Sequence, residues 1–216
     1  MTVPPLNQVG VGSGPPGPLA PGTARWPRVA VTLLLAVLGL RAFRDEYGRV
    51  PLLSGIDLAI HEFGHMLFMP FGIPVLGETM VILGGSLTQV ALPLVFVGYF
   101  ARSRGHRDMH AATVCFWWAA MNVLSVAIYA ADARARELTL ISGATGQEDD
   151  SGHDFFNLFL QWGVLGRDTV YGYRLRGIAL LMFLVSIVAG LWYGYGSGSG
   201  NGNGDGNGDG DGDGNT

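Results

Sequence analysis

From residue 79 to residue 100 the chain carries no charged side chain. A helix of about 20 apolar residues is long enough to cross the ~30 Å hydrocarbon layer of a bilayer. Comparable runs occupy residues 51–71, 111–131 and 178–195, with a shorter one at 29–43. In lipid the backbone must satisfy its own N–H and C=O groups, which leaves helices for single runs of this kind. The expected fold is therefore all-α, a polytopic transmembrane helical bundle of about five membrane segments. A sixth apolar stretch, residues 155–165, is too short to cross and is expected to be re-entrant or interfacial.

Composition agrees. The chain is 49% hydrophobic and 14% charged, against about 25% charged in an ordinary soluble domain. Residues 1–24, rich in Pro and Gly, are expected to be disordered. The same holds for 196–216, built from Gly, Ser, Asn and Asp up to a final Thr. One domain, 25–195, remains. Four acids of the tail account for the formal charge of -4, and no basic surface suggests nucleic acid. The lone Cys115 excludes an internal disulfide framework. Trp192, Tyr193 and Tyr195 close the last run like an interfacial aromatic belt. Arginine clusters at 41–49 and 102–107 are placed on the cytoplasmic side, for a multi-pass protein of a prokaryotic cell membrane.

The run at 51–71 contains His61-Glu62-Phe63-Gly64-His65. On a helix, residues four apart share a face, so both imidazoles can bind one metal ion, as two corners of a tetrahedral zinc site. Glu62 lies one step round the helix, where it can serve as general base toward a water at the metal. A charge at the bilayer centre costs about 2.5–3.5 kcal/mol, so a carboxylate and two imidazoles in such a run call for a function that offsets the cost.

Asp57, one turn before His61, either orients His61 through its second ring nitrogen or is the polar end of the helix. Gly84 and Gly85 read as a close helix crossing. Ser86, Thr88 and Gln89 are polar within an apolar run, and Gln89 is a candidate substrate contact or a buried amide with a protein partner. Pro93 is expected to kink its helix. His106 and His110 read as parts of a solvated connection.

On His61, Glu62 and His65, and on Asn122 and Asp132 in the run two segments later, the chain resembles the site-2 protease family of intramembrane zinc metalloproteases. The second motif departs from the family's pattern: Ser125 and Ala133 stand where the family has Pro and Gly, and the Asn-to-Asp spacing is longer. The resemblance covers about residues 51–133. It implies His61 and His65 as zinc ligands, Glu62 as base, Asp132 as third ligand, and Asn122 as a substrate-orienting or oxyanion-stabilising amide. Asp154, beside His153 at the start of the short apolar stretch, is the second candidate for third ligand, and Glu137 the third.

The function expected from these residues is hydrolysis of peptide bonds in membrane-embedded or membrane-proximal protein substrates. The alternative is a non-proteolytic membrane metalloprotein, a scaffold or regulator that retains a zinc site.

Overall fold

The computed structural model describes residues 25–71, 77–102, 107–139, 144–148 and 152–196. The segments read as disordered, 1–24 and 196–216, lie outside these residues apart from Gly196. Within the described residues the chain is all-helical, with a single isolated bridge between Thr139 and Thr145. The order is α1 (Arg25–Arg44), α2 (Leu53–Phe71), α3 (Gly77–Arg102), α4 (Met109–Ala131), the short α5 (Asp154–Gln161), a 3-10 turn (Leu165–Arg167) and α6 (Asp168–Gly196).

Four helical stretches are long and apolar enough to cross a membrane: Arg25–Arg44, Gly77–Arg102, Met109–Ala131 and Leu165–Tyr195. Helix α2 is not among them, because Asp57, His61, Glu62 and His65 dilute its apolar residues. The first run gains length from a turn at Arg25–Arg28 and reaches 20 residues, about 30 Å at 1.5 Å per residue. The last helix starts ten residues earlier than its apolar run, since the polar segment from Asp168 to Arg176 is already helical. Pro93 lies inside α3 without ending it.

Helix α4 is the centre of the bundle and packs against α6, α3 and α1. Its inward positions are small: Ala119, Ala120, Ala127 and Ala130 are fully buried or nearly so. Small residues let helix backbones approach closely. Gly39 of α1 meets Phe183, Gly172 meets Ala131 and Gly190 meets Thr32, each with no room for a Cβ. One apolar cluster joins Ala42, Trp117, Met121, Leu124, Ala179 and Phe183. A second joins Ala130 and Ala133 to Phe155, Leu158 and Phe159, which seats α5 against the end of α4.

Polar pins tie the ends. Arg28 pairs with Asp108 at 3.0 Å. His110, expected in a solvated loop, is instead buried in the first turn of α4, with Nε2 3.1 Å from Thr32 Oγ1 and 3.0 Å from the Arg28 carbonyl. Asp108 caps α4 through the Ala111 N–H, so the helix starts at 109 and draws His110 inward. His106 lies outside the described residues.

Replacement of Gly39 by leucine forces α1 away from Phe183. Overpacking of this kind costs about 1–3 kcal/mol, so Gly39→Leu is expected to unfold at a lower temperature than the parent in detergent. An unchanged midpoint would show that α1 and α6 do not meet there.

Candidate metal centre

The site grows from the crossing of α2 and α3. A Cβ on Gly64 would collide with the Gly84 carbonyl, and one on Gly84 would lie 2.8 Å from the Gly64 carbonyl. Only glycine allows the two backbones this close. The contact lies beside the HEFGH turn of α2, so α3 runs against both imidazoles.

Each imidazole is held at Nδ1 by α3. His61 Nδ1 lies 2.8 Å from Gln89 Oε1, and His65 Nδ1 lies 2.8 Å from the Val81 carbonyl. Both partners are acceptors, so each Nδ1 carries the proton and each Nε2 keeps its lone pair. The two Nε2 atoms lie 3.1 Å apart. Asp154 Oδ2 completes the group, 3.0 Å from His61 Nε2 and 3.2 Å from His65 Nε2. These three residues form the one metal-capable cluster of His, Cys, Asp and Glu among the described residues.

A positive charge between these three atoms, a metal ion or a proton on one Nε2, makes their contacts favourable. Ligands at 2.0–2.2 Å on a tetrahedral zinc ion lie about 3.3–3.6 Å apart, a few tenths of an ångström wider than the spacing found. Nδ1–H groups donating to an amide oxygen and a backbone carbonyl are the usual outer partners of metal-bound histidines. Gly85 lets both imidazoles lie against α3: a Cβ built there would sit 2.6 Å from both Nε2 atoms and 2.8 Å from His61 Cδ2. The donor set of two imidazoles and one carboxylate suits zinc.

Asp154 is the first residue of α5, and His153 caps that helix by accepting the Phe156 N–H at Nδ1. Burial lowers the His153 imidazole, against the opposing pull of Asp132.

Asp132, first choice for the third ligand, does not reach the imidazoles. It is the C-cap of α4, and its carboxylate turns to the Glu137 and Leu138 N–H groups and to His153. Glu137 and Leu138 lie in the turn beyond the helix, where their N–H groups have no helical partner and a nearby carboxylate can accept them. Glu137 is exposed and outside the cluster. Asp57 does not hold His61. It accepts from Trp118 Nε1 at 2.7 Å and from Asn122 Nδ2 at 3.3 Å. Asn122 is fully buried behind Asp57 and does not line the cavity, a position that gives it no contact with a substrate. Gln89, a candidate substrate contact, has its oxygen committed to His61. Tyr129 and the Val81 carbonyl were not singled out from the sequence, whereas His153 was visible there as the neighbour of Asp154 at a helix start.

A cavity of about 770 Å³ opens on the cluster. It is lined by His61, Glu62, His65 and Asp154, by the polar Ser86 and Ser125, and by Arg49. Three candidate ligands beside a cavity would leave one position on a tetrahedral ion open. No protein-family model, no curated protein and no solved structure matches the chain.

Gly85→Ala is expected to abolish metal binding, measured as zinc content after dialysis against zinc and gel filtration. Gly98→Ala, which has open space at its Cβ, is expected to keep it. Equal zinc in both variants would show that imidazoles lying against Gly85 are not what holds the ion.

Proposed function

We propose that the protein is an intramembrane zinc metallopeptidase, a multi-pass protein of a prokaryotic cell membrane that cleaves peptide segments in or near the bilayer. The convergence of His61, His65 and Asp154 beside Glu62 at one cavity carries this reading. The likeness to site-2 proteases supports it at HEFGH. At the second motif Asn122 and Asp132 stand apart from the imidazoles, and Asp154 takes the ligand's place.

The exposed residues of α2 support its placement in lipid. Ile56, Phe63, Met66, Leu67 and Met69 are each about half exposed or more, a row of apolar side chains that water would disfavour. The opposite face of the same helix holds Asp57 and His61, both buried. Apolar outside and polar inside is the arrangement expected in a membrane, where ionisable groups turn to the bundle interior or to a water-filled cavity.

In the reaction, the substrate's peptide bond enters the cavity as an extended backbone. Zinc, when bound, acidifies a water to a pKa of about 7 and polarises the peptide carbonyl. Glu62 accepts the proton as the water oxygen bonds to the carbonyl carbon. It then delivers that proton to the amide nitrogen as the C–N bond breaks. Gln89 and the Val81 carbonyl keep both Nε2 lone pairs directed at the ion site throughout. Asp154, ionised, adds the negative charge that holds a dication.

Glu62→Gln separates binding from chemistry. The variant is expected to retain zinc and to lose at least about 100-fold in the cleavage rate of a membrane-peptide substrate in detergent or liposomes, the lower end for a general base. Unchanged cleavage would overturn the peptidase mechanism. Zinc binding in the parent with no cleavage of any membrane peptide would favour the non-proteolytic metalloprotein.

A further inference from the structure

Asp154 is an improbable ligand on mechanical grounds. It opens a helix of only eight residues, about 12 Å long at 1.5 Å per residue, which cannot cross a bilayer or anchor itself in one. Its oxygen nevertheless meets both imidazoles within 3.2 Å. Something must fix the direction of this helix end, and the contacts around residues 152–156 show what does.

His153 is wholly buried, and both of its ring nitrogens are engaged. Nδ1 accepts the Phe156 N–H at 3.2 Å, so the proton sits on Nε2 and is donated to Asp132 Oδ2 at 3.3 Å. Asp132 is anchored in turn by the N–H groups of Glu137 and Leu138, each at 3.1 Å. Tyr129, one turn before the end of α4, supports the same residues. Its hydroxyl accepts the Asp154 N–H at 3.0 Å, and its ring lies 4.3 Å from that of His153. The end of α4 thus grips the start of α5 through Asp132 and Tyr129.

We propose that Asp132 and His153 are positioning residues: their hydrogen bond aims the Asp154 carboxylate at the two imidazoles and thereby completes the metal site. This rests on the reading that His61, His65 and Asp154 hold zinc. His153 is not itself a ligand, because neither ring nitrogen is free. Asp132, placed as a ligand by its resemblance to the family's motif, acts on the metal at one remove, through His153 and the backbone into Asp154.

Two substitutions at His153 divide its roles. Serine is a good helix cap but too short to reach Asp132, so His153→Ser keeps the cap and breaks the link. Glutamine places an N–H donor near the position of Nε2 but caps poorly, so His153→Gln keeps the link. The measurement is zinc affinity by competition with a chromophoric chelator, with the visible spectrum of the cobalt-substituted protein as a second readout. His153→Ser is expected to weaken zinc about 10–100-fold, the range for loss of an outer-shell partner, and to shift the cobalt bands. His153→Gln is expected to stay close to the parent. Asp132→Ala is expected to weaken zinc similarly, and the double variant Asp132→Ala/His153→Ser to be no weaker than the weaker single variant, as for two ends of one interaction. Metal-free His153→Ser is expected to unfold at a lower temperature than the metal-free parent, since a buried ring is lost, so zinc affinities are compared at a temperature where both are folded.

The opposite order, with serine harmless and glutamine damaging, would reduce His153 to a helix cap and overturn the proposal, as would parent affinity in every variant. Should Asp132→Ala fail to fold, the two His153 variants decide alone. Parent protein that binds no zinc overturns the metal reading itself, and the positioning role falls with it. Zinc bound by the parent and lost in Asp154→Asn, with His153→Ser unaffected, overturns the positioning role only.

Discussion

Two imidazole lone pairs and a carboxylate oxygen face one another at 3.0–3.2 Å, and the rest of the site exists to keep them there. Left to themselves, these groups would separate or take up protons, because like partial charges in a poorly solvated site repel strongly. Gln89 and the Val81 carbonyl hold a ring proton on each far nitrogen, so any further proton must go to a facing Nε2. The glycine crossing prevents α2 and α3 from sliding apart without loss of close packing. A cation between the three atoms is the condition under which all of these contacts are favourable together.

Three polar side chains of α2 have a partner on another helix. Asp57 is held by Trp118 and Asn122 of α4, His61 by Gln89 of α3, and His65 by a carbonyl of α3. Unpaired polar groups in a low-dielectric interior are costly, so these pairings set the rotation of α2 about its axis. They leave its apolar side chains outermost. In this part of the bundle, polar pairing rather than an apolar core decides which face of a helix turns inward.

Much of the fold is legible in the sequence, because lipid forces apolar runs into helices. The helices α3 and α4 match their runs within a few residues. The helix α6 does not, because a helix can extend beyond the apolar layer with polar residues such as Arg174 and Arg176, and an apolar count cannot see that. His61, Glu62 and His65 were legible for a local reason: their spacing alone places them on a helix. Gly84 and Gly85 were read as a close crossing, and they are one. The third ligand was not legible in the same way. Asp132 and Asp154 are both acids beside an apolar helix, and only the tertiary course of the chain separates them. Asp132 ended α4 and found backbone donors, whereas Asp154 began α5 and found the imidazoles. His110 was misjudged because a charged neighbourhood in sequence says little about the burial of a single residue that a helix cap draws inward.

The separation of His61 and Asp154 along the chain, 93 residues, has a consequence for biogenesis. During synthesis α2 leaves the ribosome with Glu62 and both imidazoles before α3, α4 or α5 exists. Its polar face then lacks Gln89, Trp118, Asn122 and Asp154 together. An apolar helix can partition into lipid alone, but one carrying these groups does so at a cost, and α2 is the long helix whose composition falls short of a spanning segment. Stable residence of α2 within the bundle must therefore follow translation of α3 and α4. The His61–His65–Asp154 cluster can form only once α5 has docked, so under the proposed zinc reading metal loading comes late in assembly.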